Sequence, residues 1–192
     1  MIWTKDEWFP NTIFTLISVS DPIGKHYQFR IPAEDSFAGI EDGTDQVQTM
    51  VDDGQNDFIN KTSFIIREGL CGTPEYVSIE SSAFPGKFWR DTSSNVKLQD
   101  RSNDDMFVKD ACWRISKDNC NLNQNANKVS FYSFNYQDQL ITKCGNHLKL
   151  EADSGNKCGS SENVCWIMEH KHGLLETFIK SNQIDLNQCI KG

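Results

Sequence analysis

Short runs in which apolar and polar residues take turns recur along this chain. Ala111, Trp113 and Ile115 alternate with Asp110, Cys112 and Arg114, and Val164, Trp166 and Met168 alternate with Asn163, Cys165 and Ile167. A period of two is the signature of a half-buried strand, because successive side chains leave a strand on opposite faces. Val77/Ile79 and Val96/Leu98 follow the same rule. Turn-forming residues separate the runs: Phe84-Pro85-Gly86, Ser102-Asn103-Asp104-Asp105, Cys144-Gly145-Asn146 and Ser154-Gly155-Asn156.

The runs repeat. Val77-Ser78-Ile79-Glu80-Ser81 returns as Val129-Ser130-Phe131-Tyr132-Ser133, Phe88-Trp89 as Leu140-Ile141, and Val96-Lys97-Leu98 as Leu148-Lys149-Leu150, all at the offset that carries 77 to 129. One inserted residue later, Ala111-Cys112-Trp113 returns as Val164-Cys165-Trp166. A weaker copy lies upstream. Thr15-Leu16-Ile17 and Gly24-Lys25-His26-Tyr27 match Val77-Ser78-Ile79 and Gly86-Lys87-Phe88-Trp89, and Phe58 to Phe64 stands where Phe107 to Trp113 stands later. This alignment makes Ile31 to Met50 an insertion, and its Asp, Gly and Gln content predicts a surface loop.

Three copies, over about 14–64, 77–113 and 129–166, each carry about four short strands. Propellers need at least four blades, so three copies predict a closed all-β barrel of three lobes, the β-trefoil. Phe64, Trp113 and Trp166 should meet in its core, with Ile17, Ile79 and Phe131 as a second set. Short extensions flank the repeats, and Leu174, Leu175, Phe178 and Ile179 in the C-terminal one (167–192) have helix-like spacing.

Composition fits one domain of 192 residues with no linker long enough to divide it. A net charge of −8 without a basic cluster argues against nucleic acid or an anionic membrane as partner. No apolar run reaches the length of a transmembrane segment, and residues 1–10 lack the apolar centre of a signal peptide, so the chain reads as a mature form or a fragment.

Seven cysteines without Cys-x-x-Cys spacing, together with the sequon Asn60-Lys61-Thr62, predict a secreted, disulfide-bonded and glycosylated chain. Cys144 and Cys158 flank the Leu148–Leu150 run and form the first pair to expect; the odd count leaves one thiol free or open to an intermolecular bridge. His170 and His172 share a strand face with no further ligand in view, so neither a metal nor a cofactor is expected. The chain has no serine nucleophile elbow and no His-Glu-x-x-His, so an enzyme is the least supported class.

The second copy, Val77-Ser78-Ile79-Glu80-Ser81-Ser82-Ala83-Phe84-Pro85-Gly86-Lys87-Phe88-Trp89-Arg90, then Val96-Lys97-Leu98 and Met106-Phe107-Val108-Lys109-Asp110-Ala111-Cys112-Trp113, resembles the repeat of arabinofuranosidase B-type (AbfB) domains. The resemblance runs over roughly 14–166 and implies a β-trefoil of the arabinose-binding type. In that family each sugar pocket pairs a His that follows a Tyr-Leu-Arg-type strand with the Asp of an Asp-Ala-Ser/Thr-Phe-type strand. Here the His position is Asp91 and Asp110 keeps the acid; the third copy has Lys143 and Asn163, and the first Phe29 and Lys61. The resemblance therefore implies at most one sugar site, built from Trp89, Arg90, Asp91 and Asp110.

Carboxylates that accept paired hydrogen bonds from adjacent hydroxyls, beside an aromatic wall, are what a sugar requires. The competing expectation is that Arg90 and Asp110 simply form an ion pair. Three functions follow: a lectin-like module binding a glycan, an extracellular structural or adhesion subunit that binds protein or itself, and a protease inhibitor presenting the Ile31–Met50 segment.

Overall fold

The computed structural model describes residues 26–31, 34–54, 57–117, 120, 128–153, 158 and 164–170. Among these residues, twelve strands and two short helices follow one another in three related sets. The first is β1 (His26–Ile31), β2 (Ser36–Gly39), β3 (Gln48–Val51), α1 (Phe58–Thr62) and β4 (Ser63–Glu68). The second is β5 (Val77–Ser81), β6 (Lys87–Thr92), β7 (Asn95–Asp100), α2 (Asp105–Asp110) and β8 (Trp113–Ser116). The third is β9 (Lys128–Ser133), β10 (Gln139–Cys144), β11 (His147–Ala152) and β12 (Trp166–His170).

The outer strands of each set close into a ring. β1 pairs with β4, β4 with β5, β5 with β8, β8 with β9, β9 with β12, and β12 returns to β1, every pairing antiparallel. A closed ring leaves no free edge, which removes the usual route to edge-to-edge aggregation. The inner strands form three hairpins, β2–β3, β6–β7 and β10–β11. These cap one end of the barrel: β11 pairs with both β7 and β3, and Gln46 bridges to Lys97. A six-stranded barrel capped by three hairpins is the β-trefoil.

Phe64, Trp113 and Trp166 are all fully buried in one cluster with Ile79 and Phe131, as the repeat alignment requires. The first copy departs from its predicted register. Its opening strand is β1, so Phe29 takes the place expected for Ile17, which lies outside the described residues; Phe29 packs on Phe64, Trp89 and Phe131 with ring centroids 5.8, 5.4 and 5.2 Å away. The Ile31–Met50 segment is accordingly no inserted loop. It holds β2 and most of β3, and buries Ala38, Ile40 and Val47. A segment that supplies a third of the barrel cap is not a free inhibitory loop.

The cap has its own threefold centre. Val47, Val96 and Leu148, one from each hairpin, are fully buried, and the Gln46 amide nitrogen donates to the carbonyls of Val47, Val96 and Leu148 at 3.1, 3.0 and 3.4 Å. One side chain thus ties together strands far apart in sequence.

Three disulfides reinforce the copies. Cys71–Cys112 and Cys120–Cys165 are counterparts: each joins the segment before a copy to the residue before its last ring strand, across 41 and 45 residues. Cys144–Cys158 closes the short loop around β11. The first copy carries Ser63 where the others have Cys112 and Cys165. The seventh cysteine, Cys189, and the apolar tail from Leu174 to Ile179 lie outside the described residues.

Candidate functional site

Strand alternation divides the four residues singled out in the second copy. On β6, Phe88 and Arg90 point to one face, Trp89 and Asp91 to the other. Trp89 is entirely buried in the barrel core, its ring 4.8 Å from that of Phe64 in a T-shaped contact, so it is no sugar-stacking wall. Asp91 is buried too. Its carboxylate accepts the Ser94 N–H at 2.9 Å and so fixes the β6–β7 turn, where Ser93 and Ser94 adopt positive φ. Burial pushes the Asp91 carboxyl above its ordinary range; the Ser94 bond opposes the shift, the neighbouring Asp110 charge adds to it and Arg90 opposes it.

Arg90 and Asp110 do come together. Arg90 Nε and Nη2 donate to Asp110 Oδ2 at 3.2 and 3.0 Å, and Arg90 Nη1 donates to Gln99 Oε1 at 3.0 Å. The guanidinium lies 5.2 Å from the centre of the Phe107 ring, and Asn135 from the third copy donates to Asp110 Oδ1 at 2.6 Å. The result is a half-buried polar cluster, Arg90, Gln99, Asp110 and Asn135, at the junction of two copies.

Asp110 reaches the cluster because it ends a helix, not because it sits in a strand. The strand begins only at Trp113, and α2 precedes it. Asp104 caps α2 by accepting the Phe107 N–H at 2.8 Å, and the Ser102 hydroxyl, followed by that bond, holds the Asp104 carboxyl below its ordinary range. Gln99 and Asn135 carried no local signal in the sequence; they enter through the β6–β7 register and the docking of copy three on copy two.

The equivalent places elsewhere hold ion pairs. In the first copy, Lys61 on α1 binds Asp42 and Asp57, each at 2.8 Å, and both partners raise its pKa. Phe29 lies on β1 in the core, so it is not the counterpart of Asp91, which belongs to the second strand of a copy. In the third copy, Lys143 is buried and binds Glu34 of the first at 2.7 Å; Asn163 lies outside the described residues. Cys144, Glu151 and Cys158 cluster closely, but the two sulfurs are joined to each other and offer no thiolate. Asn60 is exposed on α1. Among the described residues no helix is long and apolar enough to cross a membrane.

Residues 33–168 match the family described as the alpha-L-arabinofuranosidase B (ABFB) domain, and the chain belongs to that family. Among solved structures it is similar to a GH54 α-L-arabinofuranosidase soaked with a cyclic sulfate inhibitor (TM-score 0.64, 19% identity, covering 76% of this chain and 31% of that one). It is also similar to SeviL bound to asialo-GM1 saccharide (TM-score 0.55, 11% identity, 76% and 97% covered). The designed threefold-symmetric protein ThreeFoil matches as well (TM-score 0.51, 10% identity, 74% and 96% covered). The chain thus spans about a third of the length of the arabinofuranosidase structures it matches. No curated protein sequence matches it.

Proposed function

We propose that the chain is a non-catalytic, extracellular carbohydrate-binding module with one retained sugar site, centred on Asp110. Membership of the ABFB domain family supports the ligand class. The observation that carries the site is the Asp110 carboxylate, clamped by Arg90 and Asn135 beside the Phe107 ring in the family's acidic position. Carboxylate, amide and guanidinium in one cluster present both acceptors and donors to neighbouring hydroxyls. The proposed set is therefore Arg90, Gln99, Asp110 and Asn135, without Trp89 and Asp91. Three disulfides support an oxidising, secreted setting, and the exposed Asn60 is a proposed glycan acceptor.

A single site of this kind binds weakly, with a Kd on the order of 1 mM, or about −4 kcal/mol. Isothermal titration with pentoses and hexoses to tens of millimolar tests the reading. A saturable heat that disappears in Asp110→Ala supports it; silence for every sugar contradicts it.

The ion pairs Lys61–Asp42/Asp57 and Lys143–Glu34 favour a second reading, in which the trefoil serves adhesion or assembly after its pockets have closed. Sedimentation of the oxidised protein separates the two, since self-association without sugar binding fits only the second.

A further inference from the structure

A cleft of about 470 Å3 opens on the flank of the second copy and is lined by Arg67, Glu68, Leu70, Glu80, Gly86, Phe88 and Arg101. Its volume lies within the roughly 300–1,000 Å3 of small-ligand sites. At its centre Glu80 is buried, and both of its oxygens are used: Oε2 accepts Arg67 Nε and Oε1 accepts the Gly86 N–H, each at 2.6 Å. The Glu80 carboxylate offsets the charge of Arg67 and the exposed Glu68 offsets that of Arg101, so what the cleft offers an anion is its unused guanidinium donors. Both Nη groups of Arg67, and the whole guanidinium of the exposed Arg101, make no hydrogen bond among the described residues. Two guanidiniums thus border one cleft with donors to spare, on a chain whose net charge of −8 otherwise repels anions.

Apart from the exposed Glu68, the remaining walls are apolar and fixed. Phe88 is buried against Phe107 and Ala111, with Leu70 packed beside them. The Leu70 segment is tied down by the Gly69 N–H on the Tyr76 carbonyl at 3.0 Å, the Leu70 N–H on Ser78 Oγ at 3.0 Å, and the adjacent Cys71–Cys112 bond. A Cβ at Gly69 would stand 2.6 Å from the Tyr76 oxygen, so the close approach needs glycine. A site held by its own scaffold loses little entropy when it is filled.

We propose that this cleft is a second ligand site, for a saccharide bearing a carboxylate, with the acid on Arg67 and Arg101 and the C–H face of the ring on Phe88 and Leu70. The guanidinium fork matches a planar carboxylate in two-point contact. The saccharide half of the assignment rests on the carbohydrate-binding reading; the location does not, because none of the lining residues belongs to the Asp110 cluster.

The test is a titration of the full chain with D-galacturonate, D-galactose and acetate, followed by heteronuclear NMR. Saturable shifts at Arg101, Gly86 and Leu70 with galacturonate, absent with the other two, and weakened at least tenfold in Arg101→Ala, are the expected result. Arg101→Lys should recover part of the affinity. Equal binding of galactose, or acetate binding as tight as galacturonate, overturns the proposal, as does an unaffected R101A or no binding at 20-fold above the ~1 mM scale of single sugar sites. If a neutral sugar still binds at Asp110 while galacturonate fails, only this proposal falls; if both fail, the carbohydrate-binding reading falls with it.

Discussion

The indole N–H of Trp113 donates to the main-chain carbonyl of Trp89 at 3.3 Å, and Trp166 makes the same bond to Ile141 at 3.5 Å. Trp89 and Ile141 are counterparts on the second strands of their copies, so one hydrogen bond, repeated, locks a ring strand to the hairpin above it. Phe64 fills the same place in the first copy without an N–H, and the facing hairpin there is built around Ala38. A full-sized aromatic on one side of the core is thus balanced by a small residue on the other.

Trp113→Ala should cost about 3–5 kcal/mol, through lost burial and the cavity left behind. Trp113→Phe, which keeps an aromatic ring but loses the donor and part of the volume, should fall between Ala and wild type. Denaturant unfolding monitored by fluorescence measures both; an unchanged midpoint for W113A would show that the ring is not in the core.

The barrel cap predicts a long-range effect from one amide. Gln46→Ala removes a donor shared by three hairpins and should cost about 1–3 kcal/mol, because it strips buried carbonyls of a partner. Amide exchange should rise at Val96 and Leu148 together, in copies two and three. A rise confined to the first copy would contradict the shared cap.

Reduction of the native protein should add the mass of about six hydrogens, for three bonds and one thiol. Replacing Cys71 and Cys112 together by Ala should cost about 4 kcal/mol, the chain-entropy value for a loop of roughly 40 residues. A mass unchanged by reduction would remove the support for a secreted chain.

Copies two and three were legible in the sequence because they share spacing from their first strand through their last. Trp113 and Trp166 were placed correctly for that reason. The first copy was misread because its hairpin carries Ala38 where the others have Trp89 and Ile141, and a longer, polar connection between β2 and β3, so nothing in the segment resembled Phe88-Trp89. Matching Thr15-Leu16-Ile17 instead displaced Phe29 from its true place. At the candidate site, Arg90 and Asp110 meet as the ion pair that the competing expectation named, strand parity turned Trp89 inward, and Asn135 came from another copy. The pairing of Cys144 with Cys158 followed from proximity in the chain; Cys71–Cys112 and Cys120–Cys165 depend on the closure of the ring and left no local trace.

Asp91 predicts a dependence on pH. Its carboxyl is held above the ordinary range, so folding favours the protonated form. The group therefore adds most stability below its unfolded pKa, and that contribution is lost as pH rises toward the higher folded value, with no further change above it. Asp91→Asn, whose side-chain oxygen can still accept from Ser94, should match or exceed wild-type stability at pH 7 and lose that advantage in acid. Thermal unfolding between pH 3 and pH 7 gives the comparison; an advantage for Asn that grows in acid would reverse the sign.

The central claim is that a sugar is held at the Asp110 cluster. Chemical-shift mapping of the labelled chain during titration with L-arabinose, to about fifty times a 1 mM Kd, tests it directly. The account predicts saturable shifts at Asp110, Gln99, Asn135 and the Arg90 side chain, and their loss in Asp110→Ala without unfolding. Saturable shifts elsewhere on the barrel with that cluster silent, or no shifts at all, would contradict it.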